Sequence, residues 1–175
     1  MTPMSDQTLA AAFNDVLEAN HEFASSFDLG DLQPRAARGL AIVTCMDSRI
    51  PPLEVLGLRP GDAKILRNAG ARVTDDVVRT LAVAVHLLGV DRVLVMPHTH
   101  CKMASASESE IHELVGQASG LDTSGITFGA IEDQHATLVD DLKRIRASTL
   151  LPKDLPVAGA VYDVKSGVLG PLVTY

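Results

Sequence analysis

Tryptophan is missing from the 175 residues, and aromatic side chains of any kind make up 3% of them. A core built from this chain rests on aliphatic packing rather than on large rings. Basic residues are a minority as well: 15 Lys and Arg stand against 22 Asp and Glu, for a formal charge of −7. That balance excludes the clustered cationic footprint of a nucleic-acid-binding domain and gives no basis for attraction to an anionic membrane. No apolar run approaches the roughly 20 residues that span a bilayer. The opening MTPMSDQTLA has neither the cationic start nor the apolar middle of a secretory signal, so the expectation is a cytoplasmic protein. Cysteine is scarce too. Two residues, Cys45 and Cys101, in a reducing compartment point to metal binding or catalysis rather than to a structural bridge, with a pair of buried apolar thiols as the plain alternative.

What is present, 46% hydrophobic and 21% charged residues, matches an ordinary globular domain, and the length suits one. Residues 6 to 24 set Leu9, Phe13, Val16, Leu17 and Phe23 at helical spacing with Ser5 as a cap. The apolar face of that helix needs a surface, either its own domain or a partner subunit. Gly39 to Cys45 is a short continuous apolar run, the pattern of a strand covered on both faces. Pro51 and Pro52 open a short helix through Leu56, and a second strand spans Ala63 to Leu66 before a polar corner at Asn68-Ala69-Gly70. Val77, Val78, Leu81, Ala82, Val85 and Leu88 share one helical face. Asp75 and Asp76 head that helix as caps and dipole partners, and Gly89 stops it.

A third strand, Arg92 to Met96, then delivers His98 to Cys101. Lys102 to Glu110 reads as a Ser-rich loop or frayed helix start, followed by a helical turn or more around Ile111, Leu114 and Val115. After an irregular stretch, an amphipathic helix runs from about Asp133 to Ala147. Val157 to Val164 and Val168 to Val173 pair as a hairpin across Lys165-Ser166-Gly167. The alternation implies right-handed crossovers and an α/β fold: a mainly parallel central β-sheet flanked by helices, with a C-terminal hairpin. Residues 1–175 read as a single domain, with 1–35 as an N-terminal helical arm.

In a parallel sheet the carboxyl ends of neighbouring strands open on one side, where such folds bind ligands. Cys45 ends the first strand and His98 follows the third, so they can meet there. The turn His98-Thr99-His100-Cys101 lets His98 and Cys101 grip one ion from one loop. Two thiolates and one imidazole suit zinc and leave a tetrahedral position open for chemistry. His100 adjoins Cys101 and would need awkward local geometry to share the metal, which places it outside the ligand set.

CMDSR at 45–49, RNAG at 67–70 and HTHC at 98–101, in this order and separation, resemble the motifs of the β-class carbonic anhydrases. ANHEFASSF at 19–27 is similar as well, and the likeness runs from about Asn20 to the final hairpin. The resemblance implies one Zn²⁺ per subunit held by Cys45, His98 and Cys101, with Asp47 and Arg49 as a catalytic dyad beside the fourth position. The implied reaction is reversible hydration of CO₂ to bicarbonate and a proton by zinc-bound hydroxide, with CO₂ or bicarbonate as the small-molecule partner. A homodimer or higher even oligomer is implied too, its N-terminal helix packed on the partner subunit.

Two thiolates cancel the charge of Zn²⁺, so Asp47 is expected to orient the nucleophile while Arg49 keeps that carboxylate ionised and aimed. In part of the family the aspartate moves onto zinc at lower pH and closes the site. Two other functions fit the same motifs: a CS₂ or COS hydrolase on the same fold, and a catalytically silent zinc-binding module with Asp47 closing the site. Lys102 stands where many relatives carry Gly and reads as solvent-facing. Arg67 and Asn68 read as braces for loop carbonyls, and Gly70 as a point of close packing. His86 reads as a packed or partly exposed residue; His21, His112 and His135 read as polar helix-surface residues. His100 is the local candidate for proton transfer.

Overall fold

A computed structural model describes residues 11–175; Ser5 and Leu9, the expected cap and first apolar contact of the N-terminal helix, lie outside them. The chain divides into one compact unit ending at Gln33 and a second, Pro34–Tyr175. In the first, α1 (Asn14–Ser25) is amphipathic, yet none of its residues is buried. Phe13, Val16, Leu17 and Phe23 are each more than half exposed.

The second unit runs β1 (Leu40–Cys45), α2 (Pro52–Val55), β2 (Ala63–Asn68), α3 (Asp75–Leu87), β3 (Arg92–Met96), α4 (Glu108–Ser119), α5 (Gln134–Ala147), β4 (Val157–Gly159) and β5 (Val173–Thr174). The strands form one sheet in the order β2-β1-β3-β4-β5. The first four are parallel and β5 is antiparallel to β4, which is the expected α/β arrangement. β1 lies inside the sheet, between β2 and β3, and is buried because both its faces are covered. Ala41 and Val43 join a core with Leu81 of α3 and Leu138, Leu142 and Ile145 of α5, while Ile42 and Cys45 enter a second core with Met96 and Tyr162. Each fully buried Leu or Ile contributes about 1.5–3 kcal/mol of transfer free energy. Thr44, also fully buried, donates its hydroxyl to Met96 O at 2.7 Å.

Four local features differ from the sequence pattern. β2 continues past Leu66, since Arg67 and Asn68 stay in register with Thr44 and Cys45; ladder pairing carries polar residues to the strand end. Asp75 and Asp76 are not the caps of α3. Thr74 is extended and its Oγ1 accepts the Val77 N–H, which leaves the two aspartates in the first turn, where they favour the helix dipole. α4 is a full 12-residue helix opened by a Ser107–Glu110 capping box. The C-terminal hairpin turns tightly at Asp163, whose Oδ1 accepts the N–H groups of Lys165 and Ser166. Its pairing is broken into a Tyr162–Leu169 bridge and the β4–β5 ladder, because Pro171 between them has no N–H to donate. Among the described residues no helix is long and apolar enough to cross a membrane.

Candidate metal centre

Because β1 and β3 are hydrogen-bonded neighbours, Cys45 and the loop after Met96 emerge together at one edge of the sheet. The ligand-type atoms of Cys45, His98 and Cys101 all lie within 4.8 Å of one another, and all three residues are buried. The two sulfurs are 3.9 Å apart. His100 is outside this group, and its backbone is left-handed (φ 55°). The loop is held by Thr99 N–H donating to Tyr162 O at 2.9 Å and by Gln134 Nε2 donating to His98 O at 2.8 Å.

His98 shows what the cluster is built for. Its Nδ1 donates to Thr99 O at 2.9 Å, so in the neutral ring the lone pair sits on Nε2. That Nε2 is buried and has no hydrogen-bond partner; Asp47 Oδ2, at 3.7 Å, is beyond hydrogen-bond range. Burial lowers the His98 pKa and so favours the neutral ring, and burial likewise pushes the Cys101 thiol up. An unsatisfied buried acceptor costs on the order of 1–3 kcal/mol, and a Lewis acid on Nε2 removes that cost. One imidazole nitrogen and two sulfurs are donors for zinc or another borderline-soft metal. The residues present fit such an ion.

Around the donors the chain supplies a second layer. Gly70 N–H donates to Cys45 Sγ at 3.4 Å. Gly70 has φ +83°, and a Cβ there would lie 3.0 Å from Ile131 Cδ1, so this close approach needs glycine. Arg67 braces the strand end as expected, donating Nε to Cys45 O (2.8 Å) and Nη2 to Asp47 O (2.5 Å). Asn68 and Arg72 exchange two hydrogen bonds, Nδ2 to Arg72 O and Arg72 N–H to Oδ1.

Beside the cluster, Arg49 grips both carboxylate oxygens of Asp47, Nε on Oδ1 at 2.9 Å and Nη2 on Oδ2 at 2.7 Å, and adds its backbone N–H to Oδ1. Arg49 Nη2 also donates to His100 O at 3.1 Å, tying the two loops together. The Arg49 side chain is the largest cause holding the Asp47 carboxyl far below the usual carboxylate range. A cleft of about 470 Å³ opens here, lined by the apolar Met46, Ala69 and Met103 and by the charged Asp47, Arg49 and Lys102. Lys102 is solvent-exposed and also lines this cleft.

Other histidines fall outside the site. His86 Nε2 contacts Leu150 O at 2.9 Å. His112 is not the polar surface residue the helix pattern indicates: it is partly buried, its Nδ1 lies 2.7 Å from Thr123 Oγ1, and its ring stands edge-on to Phe128. Two features of the site have no signature in side-chain patterns, the Thr99 carbonyl on His98 and the Gly70 amide on Cys45. A third, the ion pair of Arg72 Nε with Asp141 Oδ2 at 2.9 Å, joins residues far apart in sequence that no motif links.

Residues 40–169 match the protein-family model described as carbonic anhydrase. The chain is 33% identical over 159 residues to β-carbonic anhydrase 1 of Mycobacterium tuberculosis, covering 89% of this chain and 94% of that protein. It is 31% identical over 152 residues to a carbon disulfide hydrolase of Saccharolobus solfataricus, covering 74% of each. The crystal structure of a carbonic anhydrase from Streptococcus mutans superposes with a TM-score of 0.86 at 34% identity, covering 99% of this chain and 100% of that one.

Proposed function

The chain belongs to the β-class carbonic anhydrase family, and on that premise we propose that it interconverts CO₂ and bicarbonate at a zinc ion held by Cys45 Sγ, His98 Nε2 and Cys101 Sγ. The observation that carries this reading is the bare, buried Nε2 of His98 set between two buried sulfurs and beside the Asp47–Arg49 pair. Zinc in that position supplies Lewis acidity, which makes water nucleophilic near neutral pH.

The chain's own groups do the rest. Thr99 O fixes the tautomer that leaves Nε2 free to ligate. Arg49 keeps Asp47 ionised and aligned through two parallel bonds, so Asp47 is an acceptor that orients the attacking water toward the carbon of CO₂. Arg67 fixes the backbone on both sides of Met46 through Cys45 O and Asp47 O, which limits drift of the dyad relative to Cys45. The apolar lining contributed by Met46, Ala69 and Met103 suits a linear, weakly polar substrate. Both Asp47 oxygens being held by Arg49 supports a working form in which Asp47 serves the substrate instead of ligating the metal.

The exposed apolar face of α1, with Phe13, Val16, Leu17 and Phe23, supports a dimer in which this helix packs on a second subunit. Stopped-flow CO₂ hydration by zinc-loaded protein, run beside sulfide release from CS₂, tests the reaction. Rapid proton release from CO₂ is expected. Sulfide release without CO₂ hydration assigns the site to heterocumulene hydrolysis, and inactivity of zinc-loaded protein toward both at every pH overturns an enzymatic role.

A further inference from the structure

The mechanism above leaves one buried carboxylate without a task. Asp141, on α5, is 4% exposed, and among the described residues it is the one carboxylate in the buried set. Its neighbours on that helix, Leu138, Leu142 and Ile145, enter the apolar core. Among the described residues its carboxylate accepts one side-chain hydrogen bond, from Arg72 Nε at 2.9 Å. A buried ion pair is a poor source of net stability, since apolar residues of similar volume often do as well. What such a pair does supply is a fixed position for the backbone that carries it.

That backbone is the corner after β2. Arg72 Nη1 reaches Gly129 O at 3.4 Å, and its main-chain N–H and C=O are both bonded to the Asn68 amide. Between these clamps Gly70 (φ 83°) and Ala71 (φ 59°) are both left-handed, a conformation that a residue with a Cβ avoids unless it is held there. From inside this turn the Gly70 N–H points at Cys45 Sγ. The continuous path is therefore Asp141 carboxylate, Arg72 guanidinium, the 69–71 turn, the Gly70 amide and the sulfur of Cys45.

We propose that Asp141 is a positioning residue for the metal centre, acting through Arg72 to hold the Gly70 amide on the Cys45 sulfur. The inference rests on the reading of Cys45 as a metal ligand. Partners that orient ligands are worth roughly 10- to 100-fold in metal affinity, so loss of the anchor is expected to weaken binding by about tenfold and to alter the thiolate-to-metal transition. It also frees the turn from its left-handed form.

The test compares wild type, Asp141→Asn, Asp141→Ala and Ile145→Val, the last a mild truncation of the same helix in the same core. Metal-free full-length protein is followed by amide hydrogen exchange at Gly70 and Ala71. Cobalt-loaded protein is followed by chelator competition and by its sulfur-to-cobalt absorption band. Expected are faster exchange at Gly70 and Ala71, about tenfold weaker cobalt binding and a shifted band in both Asp141 variants, with the Ile145→Val variant like wild type. Unchanged exchange at Gly70 in the Asp141 variants, or equal acceleration in Ile145→Val, overturns the positioning role. If Asp141→Ala does not fold, the isosteric Asp141→Asn decides by the same criteria. Wild-type protein that takes up neither zinc nor cobalt refutes the metal reading, while the exchange comparison still decides whether Asp141 holds the turn.

Discussion

His98 concentrates the chemistry of the site in one ring, one nitrogen spent on Thr99 O and the other left bare. His98→Ala and Cys101→Ser are each expected to reduce bound zinc from about one per chain to a small fraction, measured by metal analysis after gel filtration, because two remaining donors are too few for a closed chelate. Arg49→Ala is a separate prediction: zinc is retained while kcat/KM for CO₂ falls by about 10²-fold, the scale of a misplaced catalytic group. Loss of zinc in Arg49→Ala would contradict the separation of dyad from ligands. The cluster of Cys45, His98 and Cys101 was legible in the sequence because cysteine and histidine are rare and chemically specific, and because CMDSR and HTHC place them at strand ends. The Gly70 amide, the Thr99 carbonyl and the partner of His112 were not, since backbone groups look alike in any sequence and Thr123 meets His112 only through the fold.

At the scale of elements, the stretch after α4 illustrates how a short motif can hide an anchor. Glu108, in the first turn of α4, accepts the N–H groups of Phe128, Gly129 and Ala130, fixing a segment that reads as irregular. The Ala130 and Phe128 amides are the largest causes lowering its pKa. A lowered folded-state pKa means stabilisation that is present above the ordinary glutamate value of about 4.3 and lost as pH falls through the lower folded value. Hydrogen-exchange protection at 128–130 is therefore expected to stay constant from neutral pH to about pH 5 and to drop only in stronger acid, below that ordinary value. Glu108→Gln is expected to show weaker protection already at neutral pH, and equal protection would contradict the clamp. Gly70→Ala tests the neighbouring corner: a Cβ 3.0 Å from Ile131 at φ +83° is expected to cost about 1–3 kcal/mol, read from denaturant unfolding. The existence of the strands and the long helices followed from hydrophobic pattern, whereas the strand order, the Thr74 cap and the two extra residues of β2 depend on geometry that side-chain pattern does not encode.

For the whole molecule, the apolar face of α1 is the exposed surface on which assembly is expected to depend. Light scattering is expected to give at least a dimer, and Leu17→Glu with Phe23→Glu is expected to shift it toward monomer; an unchanged mass would show that this face does not carry the assembly. The α/β architecture itself was readable because β1 is apolar on both faces and helical connections separate the parallel strands, features visible in the sequence pattern alone. An open three-donor zinc site with a substrate-facing aspartate is tested most directly by a crystal structure of the zinc-loaded protein at mildly alkaline pH. The expected result is zinc on Cys45 Sγ, His98 Nε2 and Cys101 Sγ, a solvent molecule as the fourth ligand and Asp47 still paired with Arg49. Asp47 bound to zinc under those conditions, or zinc seated elsewhere, would contradict it.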